Sequence, residues 1–330
     1  MTQSRDSLIS LADTPYYHCI SRCVRRAFLC GNDHYTGQSF EHRRQWMIDR
    51  IRYLTDVFSI EVGAYAIMSN HYHLVLYVNE SELSGLSNSE ICERWSKLYS
   101  LPPIVACWQK GELRSDVQKD VVLSIITEWR NRLSSISWFM RCLNEFIARK
   151  ANKEDKCKGR FWEGRFKSQA LLDEKALLTC MAYVDLNPIR AKMSASVEQS
   201  EYTSVFERLH NKSHHGENKK ENTGKSLLKF LGAEHQHSPQ GICYSLIDYL
   251  ELVDWTGRVL RKDKRGAVSV NIPTLLVTLG FDTEIWLTLA NDFGNDYHGA
   301  FGSLEELAIF AEHTGKQWIS GKNKLRRIYH

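Results

Sequence analysis

Residues 64–78 read AYAIMSNHYHLVLYV, an apolar segment that is interrupted once, at Ser69 and Asn70. Two runs rich in Val, Leu, Ile and Tyr around a short polar break are typical of antiparallel strands joined by a tight turn. His71 and His73 stand two residues apart at the start of the second run. Because strand side chains alternate between faces, both imidazoles are expected on one face of a sheet.

The spacing of these histidines predicts half of a metal site. Two steps along a strand separate the Cβ atoms of His71 and His73 by roughly 6.8 Å. Side chains at that distance can turn towards one ion, with metal–nitrogen bonds of about 2.0–2.1 Å, a length taken from zinc sites. A His-x-His pair alone is weak evidence, because a chain with 13 histidines also contains such pairs by chance.

Patterns before and within this hairpin predict more of the sheet and its first helix. Residues 16–24 read as an earlier strand. The first strand of the hairpin has alternating apolar residues, at Ile60, Val62, Ala64 and Ala66. A helix between these strands has apolar residues at intervals of four, three and four, at Met47, Ile51, Leu54 and Phe58. Ser39 is positioned to cap that helix.

Later patterns complete an α+β fold. Ser87 and Glu90 have the spacing of a capping box, and the segment that follows them reads as a helix and then as a partly helical insertion over about residues 100–130. Further on we expect a helix over 132–151, two short strands on either side of residues 163–164, and a helix capped by Asp173 that runs through Leu186. This order predicts a ferredoxin-like antiparallel sheet with helices.

Three parts are expected along the chain. Residues 1–207 form the sheet domain, and residues 208–243 are a flexible polar linker because their central stretch has no apolar side chain. Residues 244–330 read as a small helical unit with a basic tail at Lys322, Lys324, Arg326 and Arg327. Contact with DNA, a scaffold role and oligomerisation are all open for this unit.

Composition indicates a soluble protein with a full core. The chain has 330 residues, of which 43% are hydrophobic, and a net charge of +4. Its apolar runs are too short to cross a membrane and its polar start lacks the apolar core of a secretory signal, so we expect a cytoplasmic protein without membrane contact. Nine cysteines without Cys-x-x-Cys spacing indicate reduced thiols.

Positive charge is concentrated in residues 140–193, which hold twelve Lys and Arg against seven Asp and Glu. Aromatic residues interleave with this charge in GRFWEGRFK, residues 159–167. Such a mixture can hold phosphates electrostatically while unstacked bases rest on the rings. A solvated strand hairpin with ordinary Lys and Arg would have the same composition, so both interpretations stay open.

Tyr183 and Asn187 are candidates for the rest of the chemistry. They lie four residues apart on a predicted helix and therefore share a face. A hydroxyl beside an amide oxygen suits a nucleophile next to a neutral third metal ligand. The alternative is a helix ended by Asn187-Pro188, with Tyr183 as an ordinary half-buried aromatic. Because Pro188 disfavours helical angles at Asn187, that residue is either a ligand or the cap of the following turn.

Three blocks in this order resemble the REP-associated tyrosine transposases, a branch of the HUH single-strand DNA endonucleases. They are MSNHYHLV at 68–75, GRFWEGRFK at 159–167 and AYVDLNPIRA at 182–191. The resemblance implies an HUH catalytic domain that cleaves and rejoins single-stranded or hairpin DNA through a 5′-phosphotyrosine intermediate. The insertion and the unit after Tyr244 depart from the family's minimal pattern.

The resemblance also implies a role for each candidate residue. Tyr183 would be the nucleophile, and His71, His73 and Asn187 would bind a divalent metal. We expect Mg²⁺ or Mn²⁺, and Zn²⁺ stays open because two imidazoles and an amide oxygen accept all three ions. The partner would be single-stranded DNA or an imperfect, palindromic hairpin, and the protein would be a monomer or a homodimer.

Charge and aromatic character supply a set of candidates for DNA contact. They are Arg22, Arg25, Arg26, Arg160, Phe161, Trp162, Arg165, Lys167 and Arg190. Packing within the hairpin is the alternative for Phe161 and Trp162, and plain solvation is the alternative for the early arginines. Two other functions stay open for the chain, a non-catalytic nucleic-acid-binding regulator on the same scaffold and a metal-dependent hydrolytic nuclease.

Overall fold

The structure is a computed structural model that describes residues 8–24, 28–33, 36–211, 227–232, 241–261, 272–296, 299–316, 325, 326 and 328. Its strands are β1 (Tyr16–Arg22), β2 (Ile60–Ile67), β3 (His71–Val78), β4 (Lys167–Leu171) and β5 (Ala300–Phe301). The helices up to the last core strand are α1 (Arg43–Val57), α2 (Glu80–Ser84), α3 (Asn88–Ser96), α4 (Pro103–Gln109), α5 (Asp116–Leu133) and α6 (Ile136–Glu154). The later helices are α7 (Glu174–Asp185), α8 (Asn187–Arg190), α9 (Ser204–Asn211), α10 (Leu246–Leu260), α11 (Ile272–Thr278), α12 (Thr283–Asp296) and α13 (Leu304–His313).

The five strands form one sheet in the order β2-β3-β1-β4-β5. The first four are antiparallel neighbours, and β5 pairs with β4 in parallel. The succession β1-α1-β2-β3-α6-β4 with this strand order is the ferredoxin-like arrangement. The prediction of an α+β, ferredoxin-like fold is therefore confirmed, with α2 to α5 inserted between β3 and α6.

The two faces of the sheet bury different helices. Tyr72 points towards α6, where its hydroxyl donates to Asn144 Oδ1 at 2.6 Å. His73, one residue further along β3, points to the opposite face, where its ring lies 5.8 Å from that of Tyr183 on α7. The alternation expected of His71 and His73 therefore places both imidazoles beneath α7.

Two expectations for the first helix and its following strand need correction. Ser39 does not cap α1, which begins four residues later after His42 without a side-chain cap. The regular alternation along β2 is interrupted by a bulge at Gly63, because Val62 pairs with Leu76 while Ala64 pairs with Val75. The predicted apolar stripe of α1 is confirmed, since its members are buried.

Later elements largely follow their local signals. Ser87 and Glu90 form the predicted capping box, and Asp173 caps α7 by accepting from Ala176 N at 2.7 Å. Of the two short strands expected around residues 163–164, only the second is a strand, β4. Its expected partner is reduced to a single bridge between Trp162 and Cys23.

Residues after 244 are not purely helical and pack against the sheet domain. β5 extends the sheet, and α12 and α10 lie against α7 and α8. The carboxylate of Asp185 on α7 joins the parts, because it accepts from Tyr249 Oη on α10 at 2.7 Å and from Val205 N on α9 at 2.9 Å. Burial raises the pKa of this carboxyl group, although the cation of Arg208 opposes the shift.

The structure describes only part of the predicted linker, residues 208–243. The first residues of this linker belong to α9, where Arg208 donates to Gly63 O at 2.8 Å, and Leu228 N donates to Val62 O at 2.9 Å. Residues 212–226 and 233–240 lie outside the described residues, as does the basic tail apart from Arg326. Within the described part of the chain, every helix is too short or too polar to span a bilayer.

Replacement of Tyr249 by Phe tests the bond between α10 and α7. The change leaves a buried carboxylate oxygen without its hydroxyl donor, so we expect the free energy of unfolding to fall by about 1–3 kcal/mol. Tyr53→Phe is the control, since Tyr53 is 38% exposed and its hydroxyl donates to a backbone carbonyl, not to a buried carboxylate. Urea unfolding of both variants gives the comparison, and equal losses would contradict the packing of residues after 244 on α7.

Candidate functional site

Three imidazoles meet on the face of the sheet beneath α7. The pairing of β1 with β3 sets Ile20 opposite His73, and it brings His18 of β1 beside His73 of β3. The rings of His18 and His73 stack with centroids 5.1 Å apart. The rings of His71 and His73 lie 5.0 Å apart and are nearly perpendicular.

In each predicted ligand histidine, the Nδ1 atom makes a hydrogen bond within the protein. His71 Nδ1 lies 2.7 Å from Asn70 Oδ1, and His73 Nδ1 lies 2.9 Å from His18 Nε2. His18 Nδ1 lies in turn 3.3 Å from Gln169 Oε1 on β4. His73 Nε2 is fully buried and has no hydrogen-bond partner among the described residues. A buried nitrogen without a partner is costly unless a ligand completes it.

Burial keeps all three imidazoles neutral. It lowers the pKa of His18 to about 4 and that of His71 to about 4. Burial also lowers the pKa of His73 well below the ordinary value, and the neighbouring histidines add to the shift. Neutral imidazole is the form that binds a metal ion.

Tyr183 lies against this cluster. Its ring centroid is 5.8 Å from that of His73 and 6.2 Å from that of His18, edge to face in both cases. The structure thus brings the predicted nucleophile next to one predicted ligand, although the two are more than one hundred residues apart in sequence. The ring is 9% exposed.

Helix α12 covers the Tyr183 hydroxyl. The Phe293 ring lies 5.6 Å from that of Tyr183, and a methyl group added at Gly294 would overlap the hydroxyl oxygen and come within 2.8 Å of Cζ. Only a glycine at position 294 leaves room for the phenol. A substrate therefore reaches this hydroxyl only if α12 or the Tyr183 side chain moves.

Asn187 is the remaining predicted ligand. It is the first helical residue of α8, whose N-cap is Leu186, and its Nδ2 atom is buried without a partner among the described residues. The prediction that it caps the following turn is therefore not supported. Its amide and the imidazoles of His71 and His73 stay a predicted ligand set.

The separation of the His71 and His73 rings is compatible with shared binding of one divalent cation. Two imidazoles that bind one ion with bonds of about 2.0–2.1 Å at tetrahedral or octahedral angles have centroids about 4.5–5.2 Å apart. The observed separation for His71 and His73 is 5.0 Å. No cluster of three His, Cys, Asp or Glu side chains suited to a metal occurs among the described residues, and the amide of Asn187 stays the predicted third ligand.

Arg190 holds Tyr183 instead of facing solvent. Its guanidinium carbon lies 3.7 Å above the Tyr183 ring centroid, and its nitrogens donate to Tyr183 O at 3.2 Å and to Asn291 O on α12 at 2.6 Å. Desolvation lowers the pKa of this guanidinium. A phosphate contact by Arg190, as predicted, would require these bonds to break.

Of the other basic residues predicted to contact DNA, four are exposed and two lie outside the described residues. Arg22, Arg160, Arg165 and Lys167 are exposed. Arg22 and Lys167 share the sheet face of the imidazoles, because Arg22 pairs with His71 and Lys167 pairs with Ile20. Arg22 also forms an ion pair with Glu163 at 3.7 Å. Arg25 and Arg26 lie outside the described residues.

Phe161 and Trp162 are core residues, which corrects their prediction as base-stacking side chains. Phe161 is 3% exposed and Trp162 is 9% exposed. The Trp162 ring packs 5.7 Å from that of Tyr72, and its indole nitrogen donates to Asn144 O at 2.9 Å. The alternative of packing is the one that this geometry supports, because no ring face is left for a base.

Four site residues were missed by the sequence reasoning, and each depends on long-range contacts. They are His18, Gln169, Phe293 and Gly294. His18 carries one local signal, since it is a polar residue within an apolar strand pattern. The other three have none, because strand register or helix docking alone brings them to the site.

Comparison with known proteins adds one structural likeness. A solved structure described as the REP-associated tyrosine transposase bound to a REP hairpin is 13% identical to this chain, and the match covers 69% of this chain and 100% of that one with a TM-score of 0.37. No family model and no curated protein matches the chain. At this identity and TM-score the likeness does not decide the chemistry, which rests on the residues described above.

The neutral imidazoles predict a fall in stability with acid. Between about pH 6.5 and pH 4 the unfolded chain takes up protons that folded His18 and His71 do not, so the free energy of unfolding decreases as pH falls through this window. Each imidazole contributes up to about 1.4 kcal/mol per pH unit. Urea unfolding in the presence of a chelator measures the slope. His71→Gln should flatten it, and an unchanged slope would contradict the neutral, buried state.

Replacement of Gly294 by Ala tests the cover over Tyr183. In an ordinary helix this change stabilises a protein by roughly 0.4–1 kcal/mol. Here the overlap with the phenol should reverse the sign and destabilise the protein by about 1–3 kcal/mol. In a Tyr183→Ala background the methyl group has room, so the loss should disappear. Thermal or urea unfolding of the four proteins completes the cycle, and additive effects would place the hydroxyl elsewhere.

Proposed function

We propose that the protein is a metal-dependent tyrosine transposase or endonuclease that cleaves and rejoins single-stranded or hairpin DNA through a 5′-phosphotyrosine intermediate. The observation that carries this proposal is the packing of Tyr183 against His73, whose Nε2 atom is buried and without a partner among the described residues. Two of the three sequence blocks that resemble the REP-associated tyrosine transposases, residues 68–75 and 182–191, contribute these residues.

In the proposed reaction, the Tyr183 oxygen attacks a DNA phosphorus atom. A bond forms between this oxygen and phosphorus, the bond to the 3′-oxygen breaks, and the phenolic proton ends on the 3′-hydroxyl. One phosphodiester thus replaces another, and a 3′-hydroxyl from another strand can reverse the step. Rejoining needs no external energy source for this reason.

An ordinary phenol is a poor nucleophile at neutral pH. With a pKa near 10 it is about one part in a thousand ionised at pH 7, which corresponds to about 4 kcal/mol that the site has to supply. A divalent ion, Mg²⁺ or Mn²⁺, would polarise the scissile phosphate when bound. His71, His73 and Asn187 are the residues that would hold it.

The protein's own residues would hold the phenol and exclude water. Arg190 and Phe293 clamp the Tyr183 ring from two sides, at 3.7 and 5.6 Å from its centroid. A mobile side chain would lose rotational entropy on reaching the transition state. Because the Tyr183 ring is already fixed, this entropic cost of the reaction is smaller. Before a strand enters, the ring is 9% exposed, so water has poor access to the phenol in this closed arrangement.

A DNA strand would approach along the exposed end of the imidazole face. Arg22 and Lys167 flank His71 and His73 on this face, and Arg160 and Arg165 are exposed in the adjoining loop. Such cations would hold phosphates without reading sequence. Affinity for a single-stranded oligonucleotide should therefore fall as salt concentration rises.

Tyr183→Phe is the test of the reaction class. We expect the purified variant to lose covalent attachment to a labelled single-stranded hairpin oligonucleotide while its affinity for the oligonucleotide stays within a few-fold, because the change removes one oxygen. Denaturing gel electrophoresis with Mg²⁺ or Mn²⁺ detects the protein-linked product. Tyr202→Phe, a second tyrosine that lies outside the site, is the matched control and should attach normally.

Two outcomes would replace the proposal with another function. Cutting by Tyr183→Phe without attachment would indicate a hydrolytic nuclease. Binding by the wild-type protein without cutting or attachment under any divalent ion would indicate a non-catalytic regulator. Loss of cutting in His71→Ala and His73→Ala separates a metal-dependent reaction from a contaminant.

A further inference from the structure

We infer that His18 is a positioning residue that, together with Gln169, fixes the tautomer of His73 and so presents the Nε2 lone pair of His73 to a metal ion. The inference deepens the proposed function and rests on it for its consequence in catalysis. Its geometric basis is independent of catalysis, because it is a chain of two hydrogen bonds within the protein.

The direction of the two hydrogen bonds follows from the acceptor at one end of the series, Gln169 Oε1. Gln169 Oε1 is a carbonyl oxygen and only accepts, so His18 Nδ1 carries a proton and donates to it over 3.3 Å. A neutral imidazole has one N–H, so His18 Nε2 is an acceptor. The bond of 2.9 Å between His18 Nε2 and His73 Nδ1 then requires that His73 Nδ1 donates. His73 Nε2 is left with a lone pair and no proton.

The opposite direction of these hydrogen bonds would place a proton on His73 Nε2, where it has no acceptor among the described residues. If the amide of Gln169 donated, His73 would carry its proton on Nε2, where no acceptor lies among the described residues. A buried N–H without an acceptor costs about 1–3 kcal/mol, and a protonated nitrogen cannot bind a metal. The inferred direction avoids both problems once an ion is bound.

Burial makes this arrangement effective. His18 is 1% exposed, Gln169 is 6% exposed and His73 is 3% exposed, so water does not compete for their hydrogen bonds. His18 itself is no metal ligand here, because one of its nitrogens faces Gln169 and the other faces His73. Outer partners of this kind orient the ligand ring and raise its basicity.

The Nδ1 atom of His71 is also engaged in a hydrogen bond, but its partner is the residue next to it in sequence. This Nδ1 donates to the neighbouring Asn70 Oδ1 at 2.7 Å, which leaves Nε2 free. The two candidate ligands thus expose the same nitrogen, one held by a residue next in sequence and the other by a residue from a different strand. His71 therefore serves as an internal reference for the effect of His18.

The first test reads the tautomer directly in protein labelled with ¹⁵N at histidine. Spectra at pH 7 with a chelator and without DNA distinguish protonated from bare ring nitrogens, and His73→Gln identifies the His73 signals. We expect a bare Nε2 and a protonated Nδ1 on His73. A protonated Nε2 would overturn the inference. Neither the metal nor cleavage enters this measurement, so a failure of the proposed function would leave its result unaffected.

The second test compares Mn²⁺ binding by calorimetry in two variants of His18. His18→Phe keeps a ring but removes the acceptor for His73, and we expect Mn²⁺ affinity to fall about 10- to 100-fold. His18→Gln keeps a carbonyl acceptor and should recover most of that loss. A purely structural role would not distinguish the variants by acceptor, so equal affinities in both would overturn the inference.

Folding and function are controlled separately. Circular dichroism and thermal unfolding show whether each variant is folded, and if His18→Phe is not, His18→Gln and the wild-type spectra still decide the tautomer. His210→Phe, at an exposed histidine on α9, is the control for general effects on affinity. Wild-type protein that binds no Mn²⁺ would count against the proposed function, whereas the nitrogen signals would still judge the role of His18.

Discussion

His18 and His73 lie side by side because β1 and β3 pair in one antiparallel register. A shift of this pairing by one residue would turn every side chain of one strand to the opposite face, so the imidazoles could no longer meet. Tyr17 and Leu76, which pair next to His18 and Val75, are both buried on the opposite face. The hydrophobic core therefore fixes the register, and the register assembles the site.

The buried carboxylate of Asp185 connects α7, which lies over the imidazoles, to the helices α9 and α10. It follows Tyr183 by two residues on α7 and receives hydrogen bonds from α9 and α10. An uncompensated charge at this depth would be strongly unfavourable, so these donors stabilise the folded arrangement of α7, α9 and α10. The helix that holds the candidate nucleophile is thereby locked to residues on both sides of the predicted linker.

Local patterns were readable from sequence because their partners lie three or four residues apart. The stripe of α1, the box at Ser87 and the cap at Asp173 belong to this class. The bulge at Gly63 was not readable, since it depends on how β2 meets β3. The burial of Phe161 and Trp162 was not readable either, because an aromatic pair among basic residues has the same composition on a surface and in a core. His18 needed the strand register before its partner could be named.

Helix α12 closes the candidate site through a bond that also holds the Tyr183 ring. Arg190 donates to α7 and to α12 together, so the same side chain that fixes the Tyr183 ring also fastens the helix above it. The acceptor on α12 is a backbone carbonyl, which a phosphate oxygen can replace as a partner of the guanidinium. Under the proposed function, a DNA phosphate at Arg190 would therefore compete with the bond between Arg190 and α12. Opening of the cover and binding of the substrate would then be coupled through one residue, without any contact between substrate and α12.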